Sequence, residues 1–594
     1  MNKIYYAMFL ALLLAAFGAN IFGQTMNEDF RKNAPAPLAP RAFNIPKPFE
    51  TKLPNGLKVI VFEDKRLPIV SFRLAFRTGD INDPQNSRGL TSAVTHLLSE
   101  GTKTRTSQQL AEDVEKLGAS LSASSSSDNT IVAGSALSEY GSEVLKLLAD
   151  ITLNPTFPEK EVALYKQNTI KNLQFQRSQA DFLANEQAAR ILFGAHPYSV
   201  VSPSAADVEK ITREQLEAFH DEVFVPHNAT LIVVGDVNRA GLPKEVETLF
   251  GNWKNKNFAA REFAAPPARI ERTLTIVDRP GSAQSNIVLG NLGIERSNPD
   301  YFPVLVMNQV LGAGASSRLF MNLREAKGYT YGAYSSLDAR RLAGAFEATA
   351  EVRTPVTGDS LKEFFYELER IRAEQVSAKE LTDAKNFLTG VFPLRAETQE
   401  GLTNLIVTQQ LYNLPEDYLQ TYRDKINAVT AADIERVANK YVTPDKMALV
   451  IVGDAGEILK QVKPYSTKIE VFDTEGKAMD VNSYNAAESA PTVNVTGKWT
   501  LSLDVQGQKI PVTLNLKQDG NKVTGTMESM LGAGEIPSGK VVGNKLISTA
   551  KTQIQGQDVE LNLNGTIEGD TMKGIVNASI PGFPPINFEG SRVN

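Results

Sequence analysis

No cysteine occurs among the 594 residues. That excludes disulfides, cysteine nucleophiles, thiolate metal sites and a lipid-modified N-terminal cysteine. Histidine is scarce as well, so an imidazole metal site would have to be built from His96, His196, His220 and His227, which are all there are. Excess positive charge is also missing. A formal net charge of −6 gives no basic patch, and nucleic acid is not expected as a partner. Long apolar runs are confined to one place, Ala7 to Phe17, behind Lys3 and ahead of small residues that precede Gln24. That run is too short to span a bilayer and has the form of a cleaved secretory signal over residues 1–23. The mature chain is therefore expected to have no membrane span. An exported chain without disulfides fits a bacterial periplasm, or secretion from the cell.

What remains is ordinary for a globular protein, with 42% hydrophobic and 22% charged residues, and the length suggests about three to five domains. Residues 24–47 form a Pro- and Ala-rich extended arm. From Phe49 the pattern gives a strand, an Asn55-Gly56 turn, a second strand, and a third at Val70–Arg77. Helical spacing follows at about 88–99, 107–117 and 138–152, then in one long helix at about 158–193.

An internal repeat organises the chain. "ITREQLEAFHDEVFVPHNATLIVVGDV" from Ile211 and "VTAADIERVANKYVTPDKMALVIVGDA" from Val429 align without a gap at an offset of 218 residues. In each, a Thr cap opens an amphipathic helix, a Pro-containing turn follows, and a buried β-branched strand ends at Gly-Asp. The chain therefore reads as two copies of one α+β module, residues 48–255 and 270–480, joined by a linker at 256–269. A polar linker at 481–494 leads to residues 495–594. There, alternation at Trp499, Leu501, Leu503 and Val505 and turns at Asp519-Gly520, Gly543-Asn544 and Gly569-Asp570 predict a small antiparallel barrel or sandwich.

With "PNGLKVIV", "GLTSAVTHLLSEGT", "FGAHPYS" and "LGAGASSRLFMNLREAKGYTYGAYS" in these modules, the chain resembles the M16 (pitrilysin/insulinase-like) zinc metallopeptidases, and specifically their two-domain B-type subunits, over residues 48–475. The resemblance implies two metallohydrolase-type α+β modules forming a half-shell. The family's first module carries His-x-x-Glu-His on a helix, two zinc ligands flanking a general base, and a glutamate some seventy residues later completes the ligand set. In this frame the ligand and base positions hold Ser92, Thr95 and His96, and the last ligand falls near Thr169. No Asp or Glu lies between Val162 and Ala180 to replace it. Catalytic zinc requires three protein ligands and an open position, and a threonine cannot take a proton from bound water. The chain is expected to hold no metal of its own.

The second module keeps the family's other signature. Arg324 and Tyr331 match a pair that, in the family, reaches over the cleft to hold the substrate backbone and polarise its carbonyl. A guanidinium fork and a phenol suit that task as donors toward developing negative charge. The "GAGASS" run lacks the Gly-Lys-Ser/Thr of a phosphate loop and is expected to be a close-packing turn before a helix. Some family members are heterodimers in which one subunit brings zinc and the other the Arg/Tyr pair. The resemblance thus implies a zinc-less subunit acting on peptides or unfolded segments with a zinc-motif partner. A structural or chaperone-like role and a peptide-scavenging role remain as alternatives.

Overall fold

The computed structural model describes residues 45, 47–256, 258, 261–482, 484, 493–505, 508–530, 532–554, 557–578 and 585–593. The signal segment and nearly all of the extended arm lie outside the described residues.

The first module contributes strands β1 (Phe49–Lys52), β2 (Lys58–Glu63), β3 (Ile69–Phe76), β4 (Ser120–Ser125), β5 (Thr130–Leu137) and β6 (Ala229–Gly235). Four of its helices matter here: α1 (Leu90–Leu97), α2 (Glu159–Arg177), α3 (Ala180–Phe193) and α4 (Arg213–Val223). The second module contributes β7 (Thr273–Asp278), β8 (Gln284–Leu292), β9 (Thr330–Asp338), β10 (Ala345–Arg353), β11 (Ala448–Gly453), β12 (Ile469–Phe472) and β13 (Ala478–Met479), with helices α5 (Gln399–Leu411) and α6 (Ala431–Tyr441).

The two sheets have one plan. Their orders are β1-β2-β6-β3-β5-β4 and β13-β12-β7-β11-β8-β10-β9. The inner pair is parallel in both, β2 with β6 and β7 with β11, and the next neighbour is antiparallel in both. Helices α4 and α6 open with the same capping box, Thr212 with Gln215 and Thr430 with Asp433. Such reciprocal caps satisfy two orphan backbone donors at once. The duplication read from the sequence is therefore a duplication of topology.

Strand β6 explains the continuous apolar runs. Leu231 and Val233 point into the core of the first module, so Ile232 and Val234, also buried, face the other way. Helix α5 of the second module lies against β6 and β3, with Leu402, Ile406 and Val407 buried. The converse holds in the second sheet. Leu449 and Ile451 enter its own core, while Val450 and Val452 pack with Leu183, Ala184 and Ala188 of helix α3 from the first module. Each module thus sends one helix across to cover the other's sheet, and a strand buried on both faces must be apolar at every position.

This exchange corrects one expectation. The helix expected over 158–193 is two helices, α2 and α3, interrupted at Ser178 and Gln179. The Ser178 N–H bonds back to Phe175 and Gln176 carbonyls and its hydroxyl to the Phe175 carbonyl at 2.7 Å, a local alternative to continuing the helix. The break frees α3 to reach the second sheet.

Residues 497–593 form a closed antiparallel barrel of eight strands, β14 (Gly497–Val505), β15 (Gln508–Asp519), β16 (Lys522–Ser529), β17 (Gly532–Val542), β18 (Lys545–Ile554), β19 (Gln557–Glu568), β20 (Thr571–Ala578) and β21 (Ile586–Val593). Closure through β14 and β21 removes the exposed sheet edge. Its interior is apolar, and Trp499 is fully buried under the Arg592 guanidinium, 4.8 Å from the ring centroid. The barrel touches the second module through Lys540, whose Nζ lies 2.8 Å from Glu457 Oε1. Among the described residues no helix is long and apolar enough to cross a membrane.

Candidate functional site: a dismantled metal corner and an exposed Arg/Tyr turn

Helix α1 begins where Asp83 accepts hydrogen bonds from the Gly89 N–H at 2.6 Å, the Thr91 N–H at 2.8 Å and the Thr91 hydroxyl at 2.6 Å. This side-chain anchor satisfies the orphan donors of the first turn. Ser92 and His96 follow one turn apart. The Ser92 hydroxyl donates to Asp80 Oδ1 at 3.3 Å and lies 3.2 Å from the Ser125 hydroxyl, which also donates to Asp80. Thr95 is buried and its hydroxyl turns back to the Thr91 carbonyl at 2.7 Å. His96 is exposed, with its ring 5.1 Å from the ring of Tyr165 on α2. Tyr165 in turn shares a side-chain hydrogen bond with Thr169, one helical turn further on.

The four positions singled out by the sequence are therefore neighbours around one corner, but each hydroxyl is committed to another protein group. Two residues that the sequence reading missed hold the corner together. Asp80 lies twelve residues before Ser92 in a short turn of 3-10 helix, with no periodicity to mark it. Tyr165 could have been found, because it stands at the i−4 position to Thr169 on a helix. Burial is the main force on both. It pushes the Asp80 carboxyl up to about 6, helped by Asp83 and opposed by the two serine hydroxyls. It pushes the Tyr165 phenol up to about 12, opposed by the Thr169 hydrogen bond.

These residues do not fit a catalytic metal. A zinc site needs anionic or imidazole donors converging with one position left open. The corner supplies one imidazole, three alcohols tied into internal hydrogen bonds, and a carboxylate already bonded to two serines. Among the described residues no group of three or more His, Asp or Glu could hold an ion. The remaining histidines are dispersed. His220 Nε2 lies 2.8 Å from the Thr152 carbonyl, and burial drives it down to about 4. His227 contacts Asn255, and His196 packs against Tyr198.

The Arg/Tyr segment is built differently. Ser317 begins a helical stretch whose last turn, Met321–Ala326, is π-helical. Such widened turns are rare and gather at functional sites. Before it, Gly312 lies so close to β9 that a Cβ would sit 2.3 Å from the Ser335 nitrogen, the close-packing turn expected of the "GAGASS" run. The helix end is pinned from outside, by Asn322 to Glu363 and Glu367 and by Lys327 to Glu363 at 2.9 Å. Gly328 then turns the chain at φ +63 into β9. Arg324 leaves the helix end exposed, 3.5 Å from Glu325 and 4.7 Å above the Phe320 ring. Tyr331 leaves β9 where the pairing with β10 slips between Ala350 and Val352. Bulges re-aim side chains, and Tyr331 is 89% exposed. A strand tyrosine in a core would be buried. Both donors thus stand exposed on the two sides of one braced turn, Arg324 beside Glu325 and over Phe320, Tyr331 almost wholly in solvent.

The family models agree with this layout. Insulinase (Peptidase family M16) matches residues 58–199, and Peptidase M16 inactive domain matches residues 210–388, together more than half of the chain. An uncharacterized zinc protease of Bacillus subtilis, YmxG, is 22% identical, spanning 68% of this chain and 98% of its own. One of Mycobacterium tuberculosis is 25% identical over 71% of this chain and 96% of its own. Among solved structures, a peptidase M16 inactive domain from Pseudomonas fluorescens superposes with a TM-score of 0.65 at 28% identity, covering 68% of this chain and 98% of that one. A protease from Helicobacter pylori shares the fold at 21% identity and a TM-score of 0.65, covering 69% of this chain and all of that one. By matched models, duplicated topology and shared motifs alike, the chain belongs to the M16 (insulinase) peptidase family.

Proposed function

We propose that this chain is the zinc-less, Arg/Tyr-bearing half of an exported M16-type peptidase, working on peptides or unfolded segments beside a zinc-motif partner subunit. One observation carries the reading. The metal corner has been closed into internal hydrogen bonds, whereas Arg324 and Tyr331 remain exposed on a pinned turn. General loss of function would give no reason to keep two solvent-exposed donors on a braced π-turn and a bulge. In the shared reaction the partner supplies the metal, the water and the base. Arg324 and Tyr331 bind the substrate backbone and steady the carbonyl oxygen as it gains charge.

Export rests on the apolar run behind Lys3 and on the lack of cysteine; an N-terminus beginning near Gln24 in the mature protein tests it. The subunit reading is tested by incubating an unstructured peptide with the purified chain, with a zinc-motif M16 homologue, and with both. Cleavage that requires the mixture is the expected result. Peptide binding without cleavage in any mixture would instead make the chain a scavenger, and neither binding nor cleavage would leave a structural or chaperone-like role.

A further inference from the structure

The "FGAHPYS" motif has no part in the metal corner or the Arg/Tyr turn, yet it forms one wall of a second site. A cavity of about 200 Å³ lies between the loop before α1 and the segment joining the two modules. Asp83, Gln85 and Arg88 line one side, His196 and Pro197 another, and the connecting segment from Arg261 to Pro267 covers it with Phe263, Ala264 and Ala265.

His196 is 95% buried by residue surface, at 5% exposure. Its Nδ1 accepts the Tyr198 backbone N–H at 3.2 Å. A backbone N–H can only donate, so the neutral ring must carry its proton on Nε2. Burial holds the ring below the ordinary imidazole range, against the pull of Asp128, which keeps it in that neutral form. Among the described residues this Nε2–H has no acceptor. His196 lines the cavity, so this N–H is available to a group that enters it.

The rest of the lining says what the occupant is. Arg88 has no ion-pair or hydrogen-bond partner among the described residues; its charge acts on Asp83, opposing the burial that raises that carboxyl. Asp83 opposes an anion, but its oxygens are already occupied by Gly89 and Thr91. Arg261 is shared with Glu222, 3.6 Å away. The uncommitted groups are thus a guanidinium fork, an imidazole N–H and the exposed Gln85 amide, set beside Phe263, Pro197 and Pro267. We propose that this cavity binds a carboxylate carried on a small apolar group, with Arg88 and the His196 Nε2–H as its donors.

Two sources share that chemistry, a free short-chain carboxylate and the C-terminal residue of a peptide. The site stands apart from the shared-catalysis reading, because binding is measured on the lone chain. Calorimetric titration of the full-length protein with isobutyrate, with acetyl-Ala-Ala-Leu bearing a free carboxylate, and with the same peptide as its C-terminal amide separates them. Binding of the free-carboxylate peptide but not the amide assigns the peptide source. Binding of isobutyrate alone assigns the small carboxylate. In either case Arg88→Gln, a partly exposed change, is expected to weaken binding roughly ten- to a hundredfold, the equivalent of one charge-assisted hydrogen bond, with the thermal midpoint unchanged. His196→Gln tests the second donor, provided its circular dichroism matches the parent. Equal binding of acid and amide, no binding of either acid, or full affinity in Arg88→Gln overturns the proposal.

Discussion

The corner around Ser92 and the turn around Arg324 occupy related modules that share the order of five strands, β2-β6-β3-β5-β4 and β7-β11-β8-β10-β9, yet their polar groups are disposed in opposite ways. In the first, the hydroxyls of Ser92, Thr95 and Thr169, which stand at the positions the family's motif gives to ligands and base, are satisfied inside the protein. In the second, the polar groups that are satisfied belong to the bracing residues, Asn322, Lys327 and Thr330. Tyr331 is left to solvent, and Arg324 is exposed with only its chain neighbour Glu325 and the Phe320 ring beside it. Internal satisfaction stabilises a fold, whereas braced but open donors hold a geometry ready for something outside it. The contrast is between polar groups turned inward and polar groups turned outward.

The most damaging way to reverse the contrast is to put the family's general base back alone. Thr95 is 3% exposed, so Thr95→Glu introduces a carboxylate without a partner. It is expected to lower stability by roughly 3–5 kcal/mol at pH 7, read as a drop in the urea midpoint. A midpoint equal to the parent's would mean that the corner is open and not closed. Close behind come the crossing helices, which make the modules symmetrical where the two sites are not. Leu183→Ala in α3 and Ile406→Ala in α5 are each expected to destabilise by about 2–5 kcal/mol. If only one does so, the exchange is a joint on one side only.

A smaller effect comes from Asp80. Its folded carboxyl is raised from 3.8 to about 6 by burial, so between those values the native state holds more protons than the unfolded chain. Stability therefore falls as pH rises from about 4 to about 6, then levels off. Asp80→Asn removes this slope and is expected to be more stable than the parent at pH 7 by on the order of 2 kcal/mol. Urea melts at pH 4 and pH 7 check it, and an unchanged slope contradicts the burial argument. Smallest of all is His96→Ala. The ring is exposed on Tyr165, and the expected change is within about 0.5 kcal/mol.

The fold was legible where periodicity and repetition carry it. The gapless match through the Gly-Asp strand ends at Gly235 and Gly453 foretold paired modules, and alternation from Trp499 foretold a small antiparallel barrel or sandwich, of which the closed barrel forms. What sequence reading lacked was the partner of each buried face. The runs at Leu231–Val234 and Leu449–Val452 show that both sides are covered, but not that the cover comes from the other module. For the same reason α2 and α3 read as one helix, since the break at Ser178 matters only once α3 has somewhere else to go. The corner's chemistry was half visible. Against the family's frame, the missing ligands at Ser92 and Thr169 and the missing base at Thr95 are visible in the sequence, whereas the carboxylate that ties off Ser92 comes from a turn twelve positions away. The exposure of Tyr331 depends on a bulge opposite Glu351, a register fault that no local pattern announces.

The most direct test is the rate of peptide cleavage by a mixture of this chain with a zinc-motif M16 subunit, compared with mixtures containing Arg324→Ala or Tyr331→Phe. Removing one donor aimed at a developing oxyanion is expected to lower kcat about a hundredfold or more, with the fold and subunit association intact. Cleavage that proceeds equally fast with both variants, or by this chain with no partner present, would contradict the account.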